Sequence, residues 1–240
     1  MGMPAAPRNP HRRNDASQPI KTAASQSGMT LVELIVVVVV LGTLAILVLR
    51  LSINNSRIFA MAKKSQTMTD ERNIVAALKA YKQEYGKYPV STSDVKDTLV
   101  GDPVRGASLS PAPIDNSNLF NVLRGIPDER GNKDHQGNPR RVVFFEGKYV
   151  TNPAAPKSGF HDGSLFDPWG TQYFVIMDTN SDQHIQVDTF YQDFKGKLPE
   201  VEVGVFSFGR DQQLGSPGKG LNNMYGSGDR VSDDMISWQQ

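Results

Sequence analysis

Residues 29–49 read MTLVELIVVVVVLGTLAILVL, and the only charge in that run is Glu33. An α-helix rises 1.5 Å per residue, so a segment of this length covers roughly 30 Å, the thickness of a bilayer's hydrocarbon core. Val36–Val40 would favour a strand in water. In lipid the backbone has to satisfy its own hydrogen bonds, and helix wins. Helices buried inside soluble domains are shorter and less uniform. The run therefore predicts one membrane-spanning helix.

The residues before it are polar and basic: Arg8, Arg12, Arg13 and Lys21 stand against Asp15, and Ser25-Gln26-Ser27-Gly28 leads into the run. A conventional secretory signal places a small-residue cleavage site after a short apolar stretch. Here the polar junction comes first and the apolar stretch is too long. Positive charge does not orient the helix, because Arg50, Arg57, Lys63 and Lys64 follow it.

Gly28-Met29-Thr30-Leu31-Val32-Glu33 resembles the type III signal of type IV pilins and type II secretion system pseudopilins, in which a glycine precedes Phe or Met, Thr, Leu, any residue and Glu. Met is less usual than Phe at the second position. The resemblance implies a leader over residues 1–28, cut by a prepilin peptidase between Gly28 and Met29, with N-methylation of Met29. It implies a single-pass protein of the bacterial inner membrane with its C-terminal domain in the periplasm. Its partners would be further copies of itself as a homopolymer, other pseudopilins, the peptidase, and the secretion or pilus assembly platform in that membrane. The product would be a filament spanning the periplasm.

Glu33 can be read on its own chemistry. An ionisable side chain within an apolar span is costly and marks a functional candidate. Near the membrane face it could also snorkel to water. The resemblance implies a third role: its carboxylate pairs with the N-terminal amine of a neighbouring subunit and sets the axial register of the filament. A mispaired charge is expensive at low dielectric, so one register is favoured.

Beyond the span, Ile74, Leu78, Tyr81 and Tyr85 recur at helical spacing and predict an amphipathic continuation over 50–89, stopped by Gly86 and Pro89. Asn54-Asn55-Ser56 is a weak patch where the helix could bend or fray. Relatives often carry a proline where this chain has Arg50, so a proline kink is not expected. Tyr85-Gly86-Lys87-Tyr88-Pro89 resembles the GxYP that closes the long helix in major pseudopilins. Residues 90–166, rich in Pro, Gly, Asp, Ser and Asn, read as an irregular exposed insertion with one short helix at Asn118–Leu123 and a possible strand at Arg141–Phe145. In 167–240, strands are expected at Gln172–Met177, Ile185–Phe190 and Val201–Phe208, with Asp178–Gln183 turning between the first two. The expected fold is α+β and pilin-like: a long N-terminal helix, transmembrane in its first part, on a small antiparallel sheet of about three strands.

Asp167-Pro168-Trp169-Gly170 resembles the DPWG of major pseudopilins, where Pro fixes the backbone, Gly permits the turn and Trp plugs the sheet end against the helix. Phe208-Gly209-Arg210-Asp211 together with Asp233-Asp234-Met235-Ile236-Ser237-Trp238 resembles the GxDG and DDIxxW ending of that family. The resemblance implies Ca²⁺ held by Asp211, Asp233 and Asp234. Hard oxygen ligands closing a long loop suit a chain that has no cysteine. Gln212 stands where the family has glycine, the loop from Gln213 to Ser232 is long, and it carries Asp229. As a bare pattern the aspartates also fit solvated turns. Asp178-Thr179-Asn180-Ser181-Asp182 begins like a calcium loop, but Gln183 and Thr189 replace the glycine and glutamate such a loop needs, so an Asx-rich turn is the better reading.

A net charge of +1 over 240 residues gives no reason to expect nucleic acid. The chain has no phosphate loop, no nucleophile elbow, no HExxH and no thiol, and its four histidines lie in polar contexts, so no catalytic residue and no enzyme is expected. The reading is a structural filament subunit. Its alternatives are a minor pilin or pseudopilin that primes or tips the filament, or a non-polymerising single-pass protein with an extracytoplasmic binding domain.

Overall fold

A computed structural model describes residues 28–90, 96–152, 154–155, 157–187, 191, 197–199, 201–215 and 232–239; the side chains of 50–56, 197–199 and 239 are outside that description. The leader up to residue 27, Asp229 and most of the Gln213–Ser232 loop therefore lie outside the described residues. The first helix, α1, runs Leu31–Tyr85. The chain divides into two compact units, Met1–Ile53 and Asn54–Gln240.

In the first unit every described side chain up to Leu49 is exposed. Leu31–Leu49 is long and apolar enough to cross a membrane, and none of it is buried against protein. A helix apolar on all sides belongs in lipid or among other helices.

In the second unit α1 is one-sided. Thr67, Glu71, Ile74, Ala77, Leu78 and Tyr81 are buried at spacings of three and four, while Arg72, Asn73, Lys79 and Ala80 face water. The helix stops as its sequence predicts. Gly86 takes φ +70°, a left-handed position open to glycine, and its N–H bonds the Lys82 carbonyl at 2.7 Å.

The remaining elements are β1 (Thr98–Gly101), β2 (Ile114–Asp115), α2 (Ser117–Leu123), β3 (Gly159–His161), β4 (Ser164–Phe166), β5 (Phe174–Met177), β6 (His184–Gln186), β7 (Lys197–Pro199), β8 (Val203–Ser207) and β9 (Met235–Ile236). The main sheet has the order β2-β1-β5-β8-β9, and β3–β4 and β6–β7 form separate ribbons. The α+β class holds. The sheet, however, has five strands instead of about three, and it is mixed, because β1 and β2 run parallel. Those two strands come from the stretch expected to be irregular. Ile185 heads a ribbon with Leu198 and does not join β5, so Asp178–Gln183 is no hairpin turn.

In the sequence Val201, Val203 and Val205 alternate with Glu200, Glu202 and Gly204, the pattern of a half-buried strand, yet all five residues of β8 are buried. Val203 and Val205 share a core with Ile74, Leu78, Tyr81, Tyr173 and Val175. Phe206 belongs to a second core on the other face, with Leu99, Phe174, Ile176, Ile185, Tyr191 and Phe208. Gly204 completes that second face: a Cβ there would lie 2.6 Å from Ile185 and 2.8 Å from Trp238, so only glycine lets both side chains approach.

Arg141–Phe145 forms no strand. Asn138 captures the segment instead, donating to the Val142 carbonyl at 2.7 Å and accepting the Val142 N–H at 3.1 Å. Asn116 acts similarly between β2 and α2: its amide donates to Leu165 and Tyr173 carbonyls at 3.0 and 3.1 Å and accepts the Leu165 N–H at 3.0 Å. Both asparagines are fully buried. They supply the backbone pairing that regular structure would otherwise provide. Asn116→Ala takes the partner from the buried Leu165 N–H and Tyr173 carbonyl, while the Leu165 carbonyl keeps the Tyr173 N–H at 3.2 Å, and a loss of about 2–3 kcal/mol in urea unfolding is expected, with the slope of the transition unchanged.

Candidate functional site

At the N-terminal junction, Gly28 and Met29 precede the helix and are exposed. A Cβ on Gly28 would meet nothing within 4 Å, so the fold places no steric demand for glycine there. Thr30 is the helix cap: its carbonyl accepts the Leu34 N–H at 3.1 Å and its Oγ1 accepts the Glu33 N–H at 3.3 Å. With Glu33 three residues on, Thr30 makes one half of a capping box. The Thr-x-x-Glu spacing carries that signal in the sequence. Glu33 thus sits in the first turn of α1, where the helix dipole favours a negative charge.

The Asp167-Pro168-Trp169-Gly170 turn links β4 to β5. Asp167 is fully buried, and its Oδ1 accepts the N–H groups of Trp169, Gly170 and Thr171 at 2.7–2.9 Å while Oδ2 accepts the Ser207 hydroxyl. Burial raises the Asp167 pKa, opposed by those hydrogen bonds. Asp167 therefore ties the turn to the end of β8. Trp169 is half-buried and lines a cleft together with Phe59, Ala60 and Lys63 of α1.

The C-terminal aspartates gather where β8 and β9 end their pairing. Asp211 follows β8, and Asp233 and Asp234 directly precede β9, whose Met235 lies opposite Ser207. Asp233 Oδ2 accepts the backbone N–H groups of Arg210 and Asp211 at 2.7 and 3.2 Å. Asp234 Oδ2 accepts the Tyr191 hydroxyl at 2.9 Å and the Gly215 N–H at 2.8 Å. Gly209 makes the approach feasible: at φ +66° a Cβ would lie 2.2 Å from the Asp233 carbonyl oxygen. One oxygen of each aspartate (Asp211 Oδ2, Asp233 Oδ1 and Asp234 Oδ1) is buried without a hydrogen-bond partner. Burial also raises the pKa of Asp211, with Asp233 adding to it, and pushes Asp234 up to about 7.

Gln212, at the position where glycine was expected, has φ +59°. Its side chain offsets the strain. The amide donates to the Trp169 carbonyl and accepts from Arg105 Nη2 at 2.8 Å, binding the C-terminal turn to the Asp167 turn.

Among the described residues one trio of metal-ligating side chains lies closer together than these. Asp97, Asp178 and Asp182 bring carboxylate oxygens within 4.8 Å of one another and could hold a metal. Backbone amides already engage all three: Gln186 on Asp97, Asp182 and Gln183 on Asp178, and His184 on Asp182. Asp178 and Asp182 make the Asx-type bonds their spacing suggests. Asp97 arrives from the start of β1, too far along the chain for any motif to reveal. Asp211, Asp233 and Asp234 are not drawn together to that degree.

Comparison with protein-family models, curated proteins and solved structures found no match.

The Asp234 shift has a definite sign. Its folded pKa exceeds the ordinary carboxylate value of 3.8, so its contribution to stability is complete below that value and is lost as pH rises through about 7. In EDTA the melting temperature should fall between pH 5 and pH 8. Asp234→Asn should flatten the fall by roughly 5–10 °C, measured as the difference between variant and parent at each pH.

Proposed function

We propose that this chain is a structural subunit of a type II secretion or type IV pilus-like filament, made as a prepilin, cleaved after Gly28 and assembled through its N-terminal helix. The observation that carries the reading is the junction. A glycine with no steric role in the fold stands immediately before a capped helix whose first turn holds the only charge of an apolar span. Recognition by a peptidase gives Gly28 a reason that folding does not. The family resemblance supplies the rest: methylation of Met29, residence in the bacterial inner membrane with the body in the periplasm, and polymerisation with itself and other pseudopilins on the assembly platform. The pilin-like form of the fold belongs to the same proposal, supported by a long helix whose one face shares a core with β5 and β8.

Two roles for Glu33 are separable by experiment. Glu33→Gln keeps a capping side chain and removes the charge; Glu33→Val removes both. Both variants should be cleaved normally and should both fail to form filaments or support secretion. Normal assembly by Glu33→Gln would reduce Glu33 to a cap, and a mature N-terminus other than Met29 by mass spectrometry would defeat the reading of the junction.

Calcium at the C-terminal aspartates is part of the proposal. Three buried, unbonded carboxylate oxygens offer the hard donors that Ca²⁺ takes, and an ion there would discharge the repulsion and burial that raise Asp211 and Asp234. It would join the end of β8 to β9 across the long loop. Calcium at about a hundredfold its Kd should stabilise the full chain in detergent by roughly 2.7 kcal/mol. Asp233→Asn and Asp234→Asn should abolish that gain, whereas Asp182→Asn should leave it intact; the opposite pattern would move the ion to the Asp97 trio.

A further inference from the structure

Just past the apolar run, a basic cleft opens in the second unit. Arg57, Phe59, Ala60, Lys63, Trp169 and Arg210 line a space of about 360 Å³. Three of the six are cations and none is acidic. Lys64, exposed, adds a fourth cation next in sequence. Among the described residues no carboxylate forms an ion pair with Arg57, Lys63, Lys64 or Arg210. Asp233 engages the backbone N–H of Arg210. Beside the cations, Ile58, Phe59 and Met61 are 60%, 68% and 71% exposed, an apolar group that water alone would not favour.

Both the chemistry and the chain position select the occupant. A helix N-terminus or a water-filled groove would not explain unpaired cations next to exposed aromatic and aliphatic side chains. A bilayer surface does: phosphates meet the cations, Trp sits at headgroup level, and the apolar side chains reach the acyl boundary. Arg57 follows Leu49 by eight residues, so even a fully extended chain keeps it within roughly 29 Å of the end of the apolar run. That tether holds the cleft at a high effective concentration of headgroups.

We propose that this cleft seats the phosphate of an anionic phospholipid at the surface of the membrane crossed by Leu31–Leu49, an inference that rests on that helix spanning the membrane. Arg57 and Arg210 supply planar donors for phosphate oxygens, and Lys63 and Lys64 supply point charges. Lipid is favoured over free phosphate because only lipid also covers Ile58, Phe59 and Met61. The seat holds the unassembled subunit against the bilayer and has to be vacated when the subunit leaves it.

The chain contains two tryptophans, so full-length Trp238→Phe leaves Trp169 as the single reporter within the cleft. The protein is reconstituted into phosphatidylcholine vesicles with and without phosphatidylglycerol, and insertion is scored by resistance to carbonate extraction. Insertion should be equal in both. Quenching of Trp169 by headgroup-spin-labelled lipid should be about twofold stronger with phosphatidylglycerol and should return to the neutral level in high salt or in the Arg57→Gln/Lys63→Gln/Arg210→Gln variant. Inserted protein with equal quenching in both vesicles overturns the proposal. Quenching that follows protein density instead of phosphatidylglycerol assigns the cleft to a second copy, and reproduction by inorganic phosphate in neutral vesicles assigns it to a free anion; either overturns it as well. Failure to insert removes the spanning helix and the lipid seat together. Photo-crosslinking of the unsubstituted chain by a phosphatidylglycerol analogue, mapped to 57–64 and Arg210, gives the same decision without the Trp238 substitution.

Discussion

The body of this protein depends on Ile74, Leu78 and Tyr81 being buried with Tyr173, Val175, Val203 and Val205. That contact orders the strands, because β5 and β8 present their valines to one face of α1 and their phenylalanines to a second core. It also sets a constraint on the helix itself. One element has to be apolar on every side over Leu31–Leu49 and apolar on one stripe over 74–81. Its sequence satisfies two solvents in succession, and the chain divides into compact units between the two regimes.

The turns after β4 and β8 are organised by carboxylates alongside the second core, in which Phe208 and Ile236 pack. Asp167 collects three backbone amides and the Ser207 hydroxyl; Asp233 collects two amides; Asp234 collects an amide and a tyrosine. Gln212 joins the two groups through the Trp169 carbonyl. A chain without cysteine has no covalent means of closing the β8–β9 loop. Buried acids with oxygens to spare are an electrostatic alternative, and burial raises the pKa of Asp167 and Asp234.

Periodicity made the apolar helix, the amphipathic stripe and the stop at Gly86 legible, since each depends on local spacing or a single backbone angle. The short α2 and the positions of β5 and β8 were legible for the same reason. Asn116 and Asn138 were not. Their composition signals an exposed loop, yet their side chains are spent on distant carbonyls, and distance along the chain leaves no local trace. Gly204 misled in another way: its place in the polar register of β8 suggested a solvent face, when the missing side chain is what lets Ile185 and Trp238 in. Of the candidate site, Asp211, Asp233 and Asp234 were visible as a motif, whereas Asp97 joins Asp178 and Asp182 only because β1 lies beside β5. The cap at Thr30 is legible in its spacing to Glu33, in residues that also resemble a processing signal.

The main sheet ends in β2 on one side and β9 on the other, each two residues long. Open strand edges invite other chains to zip on by backbone pairing, and long flat ones lead to amyloid-like stacking. Two-residue borders deny an intruding strand the ladder it would need. A second chain that met the main sheet edge-on would find too few free backbone groups there to extend it.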